Sequence, residues 1–169
     1  MMLISLLALA AAPQTMPAMD HPTVTCPATM MPLPAELKGW TRKHAVRAGV
    51  TAKVATTLPL GVGVLATLLP TSKITYPVHP QKPGISVSSG GIFAFTVPTA
   101  GRYRVALGTG AWIDVLTGMT PATSVSHGHG PDCTGVRKMV DFDLKPGRYL
   151  LQVAGNASAT LPLMVTHMP

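Results

Sequence analysis

Charge is scarce in this chain. Only 11% of the residues are Asp, Glu, Lys or Arg, and Glu36 is the single glutamate. With 13 Lys and Arg against 6 Asp and Glu, the little charge there is leaves a net +7, so an electrostatic partner is anionic rather than cationic. The basic residues are scattered; Arg42, Lys43 and Arg47 form their one local concentration, beside Trp40 and His44, and no nucleic-acid-binding module is spelled out. The composition therefore predicts a basic solvated surface and no nucleic-acid partner. Serines are plentiful at Ser86, Ser88, Ser89, Ser124 and Ser126, but no G-x-S-x-G elbow accompanies them, which removes the usual sequence sign of a serine hydrolase. Long hydrophobic runs are missing too: "PLGVGVLATLLP" lies between Pro59 and Pro70 and is too short to cross a bilayer.

What is present is an apolar chain, 47% hydrophobic with a mean hydropathy of +0.34, enough for one packed domain in 169 residues. The run Met2–Ala12 followed by small residues predicts a secretory signal peptide over residues 1–11, cut after Ala10 or Ala11, although a charged start is missing. Export places the chain in the periplasm or outside the cell, where its two cysteines, Cys26 and Cys133, can form one disulfide; a free or metal-bound Cys133 is the alternative. Residues 12–45 read as an irregular Pro- and Met-rich arm, with Pro22, Pro27, Pro32 and Pro34 breaking regular structure; "PAELKGW" allows a single helical turn or a loop.

Residues 46–169 read as strands separated by Gly and Pro. "VTAKVATTL", "VGVLATLL" and, at an edge, "SKITYPV" are the first three. Phe93, Phe95 and Val97 alternate on one face, the chain turns at Pro98–Gly101, and Tyr103, Val105 and Leu107 alternate on the way back, which predicts a hairpin. "AWIDVL" splits into Ala111, Ile113 and Val115 on one face and Trp112, Asp114 and Leu116 on the other. "RKMVDFDL" alternates imperfectly, "KPG" turns into "RYLLQVAG", and "ATLPLMVTHM" ends the chain. With no long amphipathic helix, the expectation is all-β: a single antiparallel sandwich, jelly-roll-like, behind the irregular arm.

The phrases Phe93-x-Phe95-x-Val97 with Ala100-Gly101-x-Tyr103, and Phe142-x-Leu144-x-Pro146-Gly147-x-Tyr149, resemble the secreted bacterial β-sandwich domains of the pre-peptidase C-terminal type over the C-terminal half of the chain. That resemblance implies an exported accessory or binding module without catalytic content; the acidic, calcium-compatible loops common in such modules are absent. A second, partial resemblance is to cupins, including homogentisate-type dioxygenases: Gly118 precedes His127 and His129, and Pro146-Gly147 follows. The glutamate of that motif is missing and no later histidine comes before His167, so the iron triad the resemblance implies cannot be assembled from matching positions.

The chemistry concentrates in "SVSHGHGPDCTG". On a strand end, alternation would point His127 and His129 to one side, and imidazole with thiolate suits Zn or Cu, so His127, His129 and Cys133 are the candidate metal ligands, with Asp132 or His79 to complete the set. Solvated histidines in a well-made turn beside a disulfide are the competing expectation. Met16, Met19, His21, Met30, Met31, Met164, His167 and Met168 offer soft donors that would suit copper handling, or simply fill irregular packing. Asp141 and Asp143 share a strand face as a glycosidase pair might, but with Lys138 and Lys145 nearby a solvated edge is the expectation. Trp112 and Asp114 project together as a sugar-binding pair would, unless Trp112 is core. The sequence thus predicts a binding module for a glycan, a metal ion (Cu, Zn or Fe) or a partner protein. If it is an enzyme, the implied chemistry is that of a metal-dependent dioxygenase.

Overall fold

Why the fold closes as it does is visible in the alternation of its strands. The computed structural model describes residues 25–26 and 32–169. The signal peptide over 1–11 and the soft donors Met16, Met19, His21, Met30 and Met31 lie outside the described residues. Strands run in chain order β1 (Lys43–Arg47), β2 (Thr56–Thr57), β3 (Gly63–Thr67), β4 (Leu69–Pro70), β5 (Ser89–Val97), β6 (Gly101–Leu107), β7 (Trp112–Thr117), β8 (Thr120–Pro121), β9 (Ser124–Gly128), β10 (Lys138–Leu144), β11 (Gly147–Asn156) and β12 (Thr160–His167). They form two sheets, ordered β1-β3-β12-β6-β10-β9 and β2-β5-β11-β7-β8, with β4 also on β5. The result is an all-β sandwich. Its pairs are antiparallel except β1 with β3 and β2 with β5, which are parallel.

The core lies between the sheets and is built from every second residue. Val105 and Leu107 of β6, Val140, Phe142 and Leu144 of β10, and Leu161, Leu163 and Val165 of β12 meet Phe93, Phe95 and Val97 of β5 and Leu151 and Val153 of β11. Strand β10 therefore alternates cleanly, with Phe142 on the face of Val140 and Leu144. Burial of a side chain of this size stabilises by about 1.5–3 kcal/mol, which is what fixes each strand's register.

Part of each outer face is also covered. A 3-10 helix, Ala35–Thr41, realises the turn allowed by "PAELKGW". Its Leu37 and Trp40, three residues apart, fall on one side at the 3-10 period and bury against Ala106, Met164 and Val136. The indole Nε1–H of Trp40 donates to Thr134 O at 3.1 Å. On the other sheet, Ala52, Ala55, Ile74, Tyr76 and Val78 cover Ile92, Ala94, Leu116 and Leu150. Gly90 sits under the Tyr76 ring; a Cβ there would collide with the phenol oxygen.

Several sequence expectations are corrected. Strands β5 and β6 are not a hairpin: β5 pairs with β11 in one sheet, and β6 with β10 and β12 in the other. The chain crosses between sheets at Pro98–Ala100, and again at Lys145–Pro146 between β10 and β11. The two crossings use the same device. The Tyr103 hydroxyl donates to Thr99 O at 2.9 Å, four residues back, and the Tyr149 hydroxyl donates to Lys145 O at 2.9 Å, also four back. This is the tyrosine-corner arrangement, and it accounts for the likeness of "AGRYRVAL" and "PGRYLLQV". "VTAKVATTL" forms a 3-10 turn at Ala52–Val54 and only a two-residue strand, and "SKITYPV" forms a 3-10 turn at Thr71–Lys73 and no strand. Both segments serve as cover for the outer face.

Asp141 and Asp143 do not lie on an edge strand, and only Asp143 is solvated; Asp141 is buried. Strand β10 lies inside its sheet, where Asp141 and Asp143 face Arg104 and Arg102 of β6 in register. Arg104 grips both oxygens of Asp141, at 2.7 and 2.8 Å, and reaches Glu36 at 3.3 Å. Arg102 grips Asp143 in the same two-pronged manner. These carboxylates are occupied by guanidinium groups, which is a structural use and not that of a glycosidase pair.

Candidate functional site

The site grows from an uncovered edge of β7. Strand β11 pairs along one side of β7, from Trp112 to Leu116, but on the other side β8 meets only Leu116 and Thr117. Upstream, no strand among the described residues covers that edge, and a cavity of about 660 Å³ follows it between the margins of the two sheets. Trp112, Asp114, Lys82, Lys138 and His127 all line it. That volume is within the range of ordinary small-ligand clefts.

Strand alternation places the two central groups. Ile113 and Val115 enter the core, so Trp112 and Asp114 emerge on the opposite face, where both are half-buried. The Trp112 indole N–H donates to Asp114 Oδ2 at 3.0 Å. The same oxygen accepts 2.7 Å from the Nε2 of Gln152, which stands opposite Asp114 on β11 and is fully buried. Gln152 also donates to Val78 O and accepts from Val78 N, so one amide ties the cleft floor to the covering loop. The indole is thereby held edge-on to a carboxylate that is itself held.

Positive charge gathers around that ring. Lys82, from the covering loop, and Lys138, from β10, each hold the ammonium 5.7 Å from the Trp112 ring centre, an attraction of the cation–π kind. Lys138 reaches across from the other sheet and donates to Ala111 O at 2.9 Å. Loss of hydration pushes the Lys138 ammonium below the ordinary lysine range, the charge of Lys82 pushes it the same way, and Asp114 opposes both. Among the described residues neither lysine has a salt-bridge partner.

His127 enters the cleft through its place in the β9 register. It pairs with Val140 and so lies on the core-facing side of its sheet; Ser126 pairs with Asp141 and Ser124 with Phe142, leaving Val125 as the extra residue. The extra residue returns Ser124 to the same side, and it lines the cleft with His127.

His129 does not join it. The β9–β10 ladder ends at the Gly128–Met139 pair, and His129 begins the following loop, on a separate and shallower depression with Asp132, Cys133 and Arg137. Its Nδ1 lies 2.9 Å from Arg137 Nη1 and 3.1 Å from Arg137 O. The guanidinium can only donate to that nitrogen and the carbonyl can only accept from it, so the two contacts compete for one ring atom. Cys133, in a left-handed backbone conformation at φ 61°, is bridged to Cys26. Of the two roles the sequence leaves open for its sulfur, the structure shows the disulfide, and a bridged sulfur is not a thiolate ligand. The alternation expected to point His127 and His129 to one side is cut short by the end of the strand. His79 is exposed on the loop after Val78 and lines neither depression. Among the described residues no three His, Cys, Asp or Glu side chains come together as a metal cage.

Sequence reasoning singles out Trp112, Asp114 and His127, which the structure brings to one cavity, but misses Lys82, Lys138 and Gln152. Only Gln152 carried a local signal, as a polar residue within the apolar run "RYLLQVAG". Set against known proteins, the chain matches no family model, and no curated protein matches it.

Proposed function

We propose that the protein is an exported β-sandwich binding module, periplasmic or secreted, that holds a small ligand in the cleft beside β7. The observation that carries this reading is the fixed indole of Trp112, locked through Asp114 to the buried Gln152 inside a cavity of ligand size. An aromatic ring held at a cleft wall, with polar groups converging on it, offers a ligand a flat apolar surface whose ordering cost is already met. Export is supported by the Cys26–Cys133 bridge, since disulfides persist in oxidising compartments. Among the described residues no helix is long and apolar enough to cross a membrane. The reading draws nothing from His129 or Cys133.

The test uses the two tryptophans as internal probe and control. In a nitrogen-15 NMR spectrum of the full mature chain, the Trp112 and Trp40 indole N–H signals are distinguished with a Trp112→Phe variant. A mixed library of saccharides, organic acids and aromatic compounds is then added. At least one compound is expected to move the Trp112 signal while that of Trp40, buried between the 3-10 helix and its sheet, stays in place. A library that moves neither signal, or both equally, overturns it. Fractionation of cells carrying the chain with its own leader tests export, which fails if the protein stays in the cytosol with its cysteines reduced.

A further inference from the structure

We infer that the cleft selects a ring-shaped ligand bearing one negative charge, a carboxylated sugar or an aromatic carboxylate, whose anionic group binds the ammonium groups of Lys82 and Lys138 while its ring lies along Trp112. This rests on the binding function proposed above and adds the chemistry of the ligand.

The charge arrangement points to it. Both ammonium groups stand 5.7 Å from the centre of the same indole, both line the same cavity, and Lys138 feels the charge of Lys82. Two unpaired ammonium groups in that position repel, and the repulsion is relieved by an anion placed between them. Nothing among the described residues supplies that anion. The arginines hold Glu36, Asp141 and Asp143, and Asp114 lies beyond salt-bridge distance of either lysine while its Oδ2 accepts from Trp112 and Gln152. Lys138 is half-buried and already has one hydrogen bond fixed to Ala111 O, so its remaining N–H groups have a defined direction.

A count of charge decides between one negative charge and two. With Lys82 and Lys138 on one side and the Asp114 carboxylate on the other, the cleft carries a net single positive charge. A carboxylate balances it, whereas a phosphate dianion would leave excess negative charge beside Asp114. The indole adds the second half of the specificity. Its ring gives a sugar or aromatic face an apolar surface, which inorganic anions cannot use.

The same two indole signals provide the experiment, on the full mature chain at low salt. Galacturonate and benzoate are titrated against their neutral counterparts galactose and benzyl alcohol, with inorganic phosphate as a further arm. The two carboxylates between them distinguish a sugar from an aromatic source. The expected result is movement of the Trp112 signal by at least one carboxylate, with affinity roughly tenfold or more above its neutral counterpart and a comparable loss in a Lys82→Ala/Lys138→Met variant. Retention of the Trp40 indole signal in that variant shows that it folds. Equal movement by neutral and carboxylated rings overturns the charge selectivity and leaves the binding function standing. Binding of phosphate as tightly as the carboxylates overturns the selection for one charge and for a ring. If neither carboxylate moves the signal, this inference falls, and the broader library decides separately whether the cleft binds anything.

Discussion

The Trp112 indole N–H and the Gln152 side-chain amide converge on one oxygen, Oδ2 of Asp114, at 3.0 and 2.7 Å. Asp114→Ala therefore removes an ionised acceptor from two donors, one of them on a fully buried side chain. A loss of about 1–3 kcal/mol is expected in urea unfolding, together with a displaced Trp112 indole signal and an unchanged Trp40 signal. Asp114→Asn, which keeps an acceptor oxygen, is expected to retain most of the stability. Equal losses in the two variants would show that charge, not hydrogen-bond geometry, holds the ring.

The parts of this arrangement that the sequence discloses are those set by local alternation. "AWIDVL" alone divides Trp112 and Asp114 from Ile113 and Val115. Alternation reports which face a residue occupies but not which strand lies alongside, and so the Phe93–Val97 and Tyr103–Leu107 runs read as a hairpin although they belong to different sheets. The two tyrosines that mark the β5–β6 and β10–β11 crossings are visible in the sequence; their meaning appears only when each hydroxyl is seen to reach back four residues. Lys82 and Lys138 are harder still, because they come to Trp112 from a loop and from the opposite sheet. Nothing local to either lysine indicates a ring nearby. His129 shows the opposite failure: its spacing from His127 suggests a shared face, but the ladder ends between them.

The two tyrosine corners offer a direct comparison. Tyr103→Phe removes one hydrogen bond, to Thr99 O, while Tyr149→Phe removes two, since the Tyr149 hydroxyl also accepts from Lys145 N at 3.2 Å. The backbone groups released are at exposed turns, where water replaces the lost partner. Each substitution is expected to cost about 0.5–1.5 kcal/mol, with Tyr149→Phe the larger, as read from urea midpoints at unchanged slope. The reverse order would mean that the Tyr149 ring, stacked on Phe95 at 5.7 Å, carries the corner without its hydroxyl.

Arg104 stands between two mostly buried carboxylates, with Asp141 and Glu36 side chains 7% and 14% exposed. Arg104→Met strands both, and a loss of about 3–5 kcal/mol is expected, as for other broken buried pairs. Arg104→Met/Asp141→Leu should recover a substantial part of it, because the most buried unpaired charge has gone as well. A double variant no more stable than the single would place the contribution of Arg104 in its packing rather than in its charge.

The Cys26–Cys133 bridge spans 107 residues of sequence. Cross-linking so long a segment restricts the unfolded chain, with a stabilisation of up to about 4–5 kcal/mol in the chain-entropy account. Unfolding in urea with and without a reductant, alongside a Cys26→Ser/Cys133→Ser variant, is expected to show a loss of about 2–5 kcal/mol. The Trp112 indole signal should persist under native conditions in the reduced protein, since the bridge lies at the depression of His129 and not in the cleft. Its disappearance on reduction would couple the bridge to the cleft.

Lys138 gives stability and binding opposite dependences on pH. Its pKa in the folded protein is lowered, chiefly by loss of hydration and then by Lys82, with Asp114 acting against the shift. Between that lowered value and the ordinary 10.5, the unfolded chain holds more protons at this position than the folded one. Stability therefore rises with pH across this window: the strain of a partly dehydrated ammonium is present below it and relieved above it. Relative to Lys138→Met, which differs at neutral pH by no more than about 1 kcal/mol once the bond to Ala111 O is counted as lost, the wild type should gain stability as pH is raised toward 10.5. Affinity for a carboxylated ring should fall over the same range, because a neutral amine no longer attracts it. Paired unfolding and NMR titrations across that range check both halves. A wild-type protein whose stability fell relative to the variant as pH rose would mean that Lys138 gains more from Asp114 than it loses by leaving water, and the lysine would then be a structural partner of that carboxylate rather than a free cation in the cleft.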